Sequence, residues 1–277
     1  AKISPDILHV HYSGAPEPPT SEDAILSKIP VTVTTNQFER ENTSEAHKKY
    51  VKKIMFPSRW LLENKALWAR TDKRAEVFPN PIEKPFSTSS LRGELQIPAN
   101  AFVVGRVGRA ENGIYDPIGL KAYKEAETAN TYMLALSAPP VMLSHAKELG
   151  LKNFISLPPS ADPVFLSRFY NTLSVLGHAR RDGETFGCNI AEAMIHGKPV
   201  ITHLTAYMNA QQEIVGEGGY VCADADNRAY ASYLIELRDN ATLRAKLGEK
   251  ARVRAESEFE AKMLTKRLEQ TYLKLLA

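Results

Sequence analysis

The sequence is poor in cysteine and has no long apolar run. Its two cysteines, Cys188 and Cys222, are too few for a disulfide framework and fit a reducing cytosol. No segment approaches the ~20 continuous apolar residues that a membrane-spanning helix needs, and the start does not read as a signal peptide. The net charge of +3 is too small to indicate a nucleic-acid partner. We therefore expect a cytoplasmic globular protein, and 277 residues are enough for two modest domains.

Basic residues are concentrated in HKKYVKK, residues 47–53. On a helix these side chains form a solvated face. The alternative is attraction to an anionic membrane, where each cation gains roughly 1 kcal/mol near the surface. This alternative corresponds to a peripheral contact with the inner membrane surface.

Short β-branched or apolar runs alternate with amphipathic segments, a pattern typical of parallel α/β sheets. The runs predict four strands before a Pro- and Ser-rich segment and six after it, at 6–11, 31–36, 53–58, 75–80, 102–108, 131–137, 153–158, 174–179, 198–203 and 219–223. The intervening segments have the 3.6-residue apolar spacing of helices.

The Pro- and Ser-rich segment divides the chain. We predict a linker at 86–100, between a first Rossmann-like domain at 1–85 and a second at 101–258. A helix at 259–277 is expected to pack back on the first domain. With four strands against six, the first domain is expected to be partial, lacking its opening βα units. Ligands of such sheets bind at the carboxyl ends of the strands, often in a crevice between domains.

The strongest candidate site lies in GETFGCNIAEAMIHGKPVI, residues 183–201. Two glycines in this segment, Gly183 and Gly187, allow tight turns, and NIAEAMIHG then predicts a helix. The backbone N–H groups around Gly187, Cys188 and Asn189 lie at the start of that helix, where free donors and the dipole favour an anion or sugar oxygens.

Two glutamates flank this turn. Glu184 is expected in the loop, facing whatever the amides hold, while Glu192 lies about a turn inside the helix, where a carboxylate suits a ribose diol. The alternative interpretation is a capped helix that carries two surface carboxylates.

This segment resembles the E-x7-E motif of the retaining glycosyltransferases of family 4, which have the two-domain GT-B fold. GETFG, EAM and GKPVI match in register, and NAQQEIV, GGYVC, VFPNPIE and VVGRVGR resemble neighbouring regions of the family. The resemblance implies that Glu184 contacts the transferred sugar and that Glu192 holds the ribose of the nucleotide. It also implies that Phe186, Gly187 and Cys188 offer main-chain donors to the sugar or diphosphate.

A second candidate group lies in GRVGRAENG, residues 105–113. A departing diphosphate gains charge, so a transferase without a metal needs fixed cations beside it. The family supplies an Arg after this strand, matched by Arg106, and a Lys about six residues later. That position falls on Asn112 or Ile114, neither of which is charged. Arg109 is the expected replacement, because a guanidinium binds phosphate oxygens in bidentate fashion.

Other candidates are single residues. Family members often have a His where this chain has Asn36, an amide that can hydrogen-bond a sugar but cannot act as a base. His178 precedes the loop that contains Glu184, and it is either a core residue or a sugar contact. His9 and His11 lie near a strand end, and we expect both to be structural.

The resemblance implies a metal-independent hexosyltransferase-like enzyme that moves a sugar from a UDP- or GDP-sugar to a carbohydrate, lipid-linked or small-molecule acceptor. The product is then an α-glycoside formed with retention. No His/Cys/Asp cluster has metal-ligand spacing, and no D-x-D pair stands where metal-dependent transferases of the other fold need one. The rival hypotheses are a nucleotide-sugar-binding module without turnover and a fragment of a larger glycosyltransferase.

Overall fold

The computed structural model describes residues 5–12, 25–29, 31–39, 41 and 44–277. The chain divides into two compact units. Unit 1 comprises Ala1–Pro81 together with Ala261–Ala277, and unit 2 comprises Ile82–Glu260. The fold is α/β with parallel sheets.

Unit 1 contains a parallel sheet of four strands in the order β1-β2-β3-β4. The strands are β1 (Ile7–Tyr12), β2 (Val31–Asn36), β3 (Val51–Phe56) and β4 (Ala75–Val77). β2 is buried along its whole length. Its Val and Thr side chains suit this position, because β-branched residues pack well in a sheet that is covered on both faces.

Two short helices of unit 1 begin at serine caps. They are α1 (Glu45–Tyr50) and α2 (Arg59–Asn64), and a 3-10 turn at Leu67–Ala69 follows. The hydroxyls of Ser44 and Ser58 each accept a hydrogen bond from a backbone N–H of the first helical turn, which satisfies a donor that the helix leaves unpaired.

The basic cluster HKKYVKK does not form one helical face, so that expectation is wrong. α1 ends at Tyr50 and β3 begins at Val51, which places the last two lysines of the cluster on a strand. His47 is buried, and Lys53 pairs with Glu76 (2.9 Å).

Unit 2 contains eight strands among the residues that the structure describes. They are β5 (Phe102–Val107), β6 (Thr131–Leu136), β7 (Phe154–Leu157), β8 (Val175–Gly177), β9 (Gly183–Glu184), β10 (Val200–His203), β11 (Met208–Asn209) and β12 (Gly219–Cys222). Six of them form a parallel sheet in the order β12-β10-β8-β5-β6-β7. All ten predicted strands are present, and within the described residues the sequence pattern missed only the two-residue pair β9 and β11.

The strand order reverses direction between β5 and β8. From β5 the chain continues outward to β6 and β7, and then returns to β8 on the other side of β5. In an open parallel sheet this switch leaves a crevice at the carboxyl ends of the two central strands. Arg106 near the end of β5 and His178 directly after β8 lie at this edge.

Helices cover both faces of the unit 2 sheet. They are α3 (Ile118–Ala126), α4 (Pro140–Glu148), α5 (Pro163–Thr172), α6 (Cys188–Ile195), α7 (Ala210–Val215), α8 (Asn227–Asp239) and α9 (Ala241–Glu258). Adjacent residues of β5 face opposite sides, as a strand requires. Val103 packs with α5, α6 and α9, and Val104 packs with α3 and α8.

The segment at 86–100 differs from the predicted linker. Its apolar residues Leu91 and Ile97 are buried in the core of unit 2. The backbone N–H of Leu91 donates to the hydroxyl of Thr172 (2.8 Å) on α5. The Pro- and Ser-rich composition therefore reflects irregular backbone packed on a domain, and the units divide at Pro81 and Ile82.

The last helix, α10 (Ala261–Leu276), belongs to unit 1. Its buried Leu264 packs with Val33, Met55 and Phe78 of that unit. None of the helices in the described ranges is long and apolar enough to cross a lipid bilayer.

Candidate functional site

The turn before α6 requires glycine at two positions. Gly183 (φ 67°) and Gly187 (φ 94°) lie in the left-handed region that other residues rarely adopt. A Cβ on Gly183 would lie 1.7 Å from the carbonyl oxygen of Met208, so no side chain fits there. Between them, Phe186 is buried and packs edge-to-face on Phe259, with ring centroids 5.3 Å apart. The packing of the Phe186 ring on Phe259 therefore holds the turn in place.

The start of α6 is bonded to the end of β5. Asn189 donates from its Nδ2 to the carbonyl of Val107 (3.0 Å). The carbonyl of Gly187 accepts the N–H of Ile190 (3.0 Å), and Cys188 is exposed as the first helical residue. The positive end of the α6 dipole thus lies beside the strand that carries Arg106.

Glu184 is held through its backbone and its carboxylate. Its N–H donates to Oε1 of Gln211 (3.1 Å), a fully buried side chain whose Nε2 donates to the carbonyl of His203 (2.9 Å). Its carboxylate Oε1 lies 3.0 Å from Nε2 of His178 and 3.5 Å from Nη1 of Arg180. Both contacts reach the same oxygen, which fixes how the carboxylate is turned.

His178 is buried directly after β8. Its Nδ1 lies 2.9 Å from the hydroxyl of Thr202, and its Nε2 contacts Glu184. A neutral ring that donates from Nε2 and accepts from Thr202 at Nδ1 satisfies both bonds. His178 thus lines the site and also orients Glu184.

Arg106 is a buried cation, with 7% of its surface exposed. Its Nη1 donates to the carbonyl of Ser137 (2.8 Å), and its Nη2 donates to the carbonyl of Arg109 (3.3 Å). No carboxylate of the described residues pairs with it. Burial, with a smaller contribution from the charge of Arg180, lowers the pKa of Arg106 to about 10. The guanidinium is still charged at neutral pH. Because no carboxylate of the described residues neutralises it, the site favours the binding of an anion.

Arg109 contacts Arg106 through its backbone carbonyl, and its expected role as a second cation of the site stays a prediction. Its side chain is 63% exposed, and its Nη1 pairs with Glu111 (2.9 Å). Asn112, where the family has a Lys, accepts the N–H of Val141 (3.2 Å) through its Oδ1. Ile114, the other position considered, does line the cleft.

Glu192 is partly buried inside α6, and its carboxylate accepts a hydrogen bond from the hydroxyl of Tyr170 (2.5 Å). Tyr170 is fully buried and lies against the ring of His196. Burial raises the pKa of Glu192, although the Tyr170 bond opposes this. The tyrosine fixes one carboxylate oxygen, so the orientation of Glu192 is set before any ligand arrives.

Several of these residues line a cleft of about 300 Å³, a volume that includes the solvent space at its open entrance. Four predicted site residues line it: Arg106, His178, Glu184 and Asn189. The lining also contains Arg180, for which the sequence leaves open both a position in the cleft and a solvated one. Glu192, Phe186, Gly187 and Cys188 lie outside this lining but belong to the same turn and helix.

Asn36 belongs to unit 1, at the end of β2. It is buried, and its Oδ1 accepts the N–H of Phe38 (3.3 Å). In the described parts of both units, no group of three His, Cys, Asp or Glu side chains is placed to hold a metal ion.

The sequence pattern missed the side chains that hold the predicted ones in place. Tyr170 and Gln211 are 22 and 27 residues from the glutamates that they contact, and no local spacing links them. Arg180 did leave a trace in the sequence, since it lies four residues before Glu184 in the same loop.

Known glycosyltransferases are similar to part of this chain in sequence. Residues 141–254 match the family model "Glycosyl transferases group 1". The capsular polysaccharide biosynthesis glycosyltransferase CapM of Staphylococcus aureus is 26% identical over 181 residues, which cover 62% of this chain and 46% of CapM. The chain thus spans about half the length of this curated relative.

Two solved structures have the same fold. A glycosyltransferase from Rickettsia africae superposes with a TM-score of 0.78 at 16% identity, covering 98% of this chain and 77% of the other. HepE from Anabaena, in complex with UDP and glucose, superposes with a TM-score of 0.74 at 16% identity, covering 92% of this chain and 81% of HepE. The chain therefore has the α/β fold with parallel sheets of GT-B glycosyltransferase structures, and its residues 141–254 match the glycosyl transferases group 1 family.

Proposed function

We propose that the protein transfers a sugar from a UDP- or GDP-linked donor to an acceptor hydroxyl, giving an α-glycoside with retained configuration. The observation that carries this proposal is the buried guanidinium of Arg106. It lies in one cleft with Glu184 and, among the described residues, has only backbone carbonyls as hydrogen-bond partners.

Arg106 suits a diphosphate because its charge is already desolvated. Fixed cations in a water-poor site stabilise developing negative charge more strongly than they do in water. The carbonyl of Ser137 holds the guanidinium in place, so little reorganisation is needed when the leaving group departs. Arg106 thereby stabilises the negative charge of the leaving group, and the proposed reaction assigns no role to a metal.

The two glutamates suit the two sugars of the donor. Glu184 presents a carboxylate that His178 orients, and it is proposed to accept hydroxyl groups of the transferred sugar. Glu192, with one oxygen bonded to Tyr170, is proposed to accept the ribose diol. The amides around Gly187, Cys188 and Asn189, at the start of α6, are proposed to donate to sugar or phosphate oxygens.

The proposed step is a front-face displacement. The acceptor oxygen bonds to the anomeric carbon on the side from which the diphosphate leaves, while the bond from that carbon to the phosphate oxygen breaks. The acceptor proton passes to a phosphate oxygen, so the step needs no protein base. Asn36, which cannot take a proton, is compatible with this scheme and is proposed to hydrogen-bond a sugar.

Relatives support the donor and acceptor classes. HepE is solved with UDP and glucose, and CapM acts in capsular polysaccharide biosynthesis. We accordingly propose a carbohydrate, lipid-linked or small-molecule acceptor. A cytoplasmic location, with peripheral contact at the inner membrane surface, stays a prediction that co-sedimentation with anionic phospholipid vesicles tests.

Calorimetric titration with UDP- and GDP-sugars tests the proposal, followed by measurement of sugar transfer or hydrolysis. Wild-type protein is expected to bind one donor class and release its sugar, and Glu192→Ala is expected to weaken binding. Binding without release would favour the alternative, a nucleotide-sugar-binding module. Unchanged affinity in the Glu192→Ala variant would show that the ribose site is assigned wrongly.

A further inference from the structure

A second arginine lies in the cleft with Arg106. Arg180 follows β8, and its backbone forms an antiparallel bridge with Tyr115. The next residue, Arg181, donates its N–H to the carbonyl of Ile114 (3.0 Å), so the backbone of this segment is bonded to the segment that contains Ile114 and Tyr115. The Arg180 side chain is 23% exposed and lines the cleft.

Asp182 holds the guanidinium of Arg180 from one side. Nε and Nη2 donate to the two carboxylate oxygens at 2.5 and 2.8 Å, a bidentate contact that fixes the plane of the group. The remaining nitrogen, Nη1, lies 3.5 Å from Oε1 of Glu184, which is longer than a good hydrogen bond. Asp182 therefore contacts Nε and Nη2, while Nη1 lies on the side of the guanidinium that faces Glu184.

Two guanidinium groups lie near each other in this cleft. Burial is the main cause of the lowered pKa of Arg106, Tyr115 opposes the shift, and the charge of Arg180 lowers this pKa by a smaller amount. An anion between two like charges relieves their repulsion, and the donor carries two negative charges on its diphosphate. Arg109, by contrast, pairs with Glu111 in solvent.

We propose that Arg180 binds the distal phosphate of the donor's diphosphate, the role that the sequence assigned to Arg109. This inference rests on the proposed function. Because Asp182 already orders the guanidinium, little side-chain entropy is lost when Nη1 meets a phosphate oxygen. Negative charge on that phosphate grows as the glycosidic bond breaks, so the contact strengthens toward the transition state.

Nucleotides without the sugar separate this role from a structural one. If Arg180 only oriented Glu184, its loss would affect the sugar and leave UDP binding unchanged. We therefore compare the affinities of UDP and UMP, or of GDP and GMP if the wild type selects guanine, for wild type, Arg180→Gln and Arg109→Gln. Arg109→Gln is the matched control, since it removes a nearby arginine that is also paired with a carboxylate.

Arg180→Gln is expected to weaken UDP binding by about 10- to 100-fold, as for loss of a charge-assisted hydrogen bond, and to leave UMP within about twofold. Arg109→Gln is expected to change neither. Unchanged UDP affinity in Arg180→Gln, or an equal loss for UDP and UMP, overturns the inference.

A second variant keeps the test independent of folding. Arg180→Gln leaves Asp182 without its partner, so Arg180→Gln/Asp182→Asn is measured in parallel and is expected to show the same selective loss of UDP binding. If wild type binds neither UDP nor GDP, the proposed function fails and the inference fails with it. If wild type binds and the variants match it, only the inference fails.

Discussion

Replacing Arg106 with methionine is expected to leave the ligand-free protein about as stable as wild type. Lowering of its pKa to about 10 corresponds to about 3 kcal/mol of unfavourable free energy for keeping this charge in the folded protein. Its two hydrogen bonds to the carbonyls of Ser137 (2.8 Å) and Arg109 (3.3 Å) return about 3 kcal/mol, at about 1.5 kcal/mol each for a charged donor. The two contributions nearly cancel, so we expect the free energy of unfolding to change by less than about 1 kcal/mol.

The donor is expected to stabilise wild type but not the Arg106→Met variant. At a donor concentration of 100 times its Kd, wild type gains about 2.7 kcal/mol, and the variant gains almost nothing. Urea unfolding followed by far-UV circular dichroism measures both. Both tryptophans, Trp60 and Trp68, lie in unit 1, so their fluorescence does not follow unit 2.

Arg92→Met is the matched control. Arg92 also donates to backbone carbonyls, those of Pro98, Ala99 and Ala101, and burial lowers its pKa, but it lies outside the cleft. This variant is expected to keep the full stabilisation by the donor. Arg106 would not be the diphosphate contact if Arg106→Met also kept that stabilisation. A loss of more than about 3 kcal/mol in the free energy of unfolding of the ligand-free variant would contradict the expected cancellation.

Three further predictions concern Glu192 of α6 and the turn that precedes this helix. Because burial raises the pKa of Glu192, the folded protein takes up this proton at a higher pH than an unfolded chain does. Acidification through that window therefore stabilises the fold and weakens donor binding. Glu192→Gln is expected to abolish this pH dependence of donor binding when calorimetry is repeated as the pH is lowered from neutral. Gly183→Ala is expected to abolish donor binding, since its Cβ meets a carbonyl oxygen at 1.7 Å, whereas Gly93→Ala, with open space around it, is expected to bind normally. Phe186→Ala is expected to lower the free energy of unfolding by about 3–5 kcal/mol in urea, and a loss under about 1 kcal/mol would show that the ring does not anchor the turn.

The strands were predictable because each is a short apolar run with a strong local pattern. VTVTTN, for example, forms β2 at the predicted residues 31–36. The pair β9 and β11 was not predictable, because two residues each, Gly-Glu and Met-Asn, carry no periodicity. The segment at 86–100 has the composition of a linker, and only tertiary contacts show that Leu91 is core.

The placement of the candidate site residues was predictable where one continuous segment carries them. The glycines and glutamates of 183–192 lie on one turn and one helix, so their spacing already determines their neighbourhood. That Arg180 lines the cleft with Arg106 was not predictable. Arg109 is close to Arg106 in sequence, but Arg180 comes close only because β5 and β8 are neighbours in the sheet.

A crystal structure of the protein with the UDP- or GDP-sugar that it binds would show whether Arg106 contacts the diphosphate. We expect diphosphate oxygens within about 3 Å of the Arg106 guanidinium, with the ribose at Glu192 and the sugar at Glu184. A donor bound with its diphosphate away from Arg106, or with its ribose away from Glu192, would contradict this expectation.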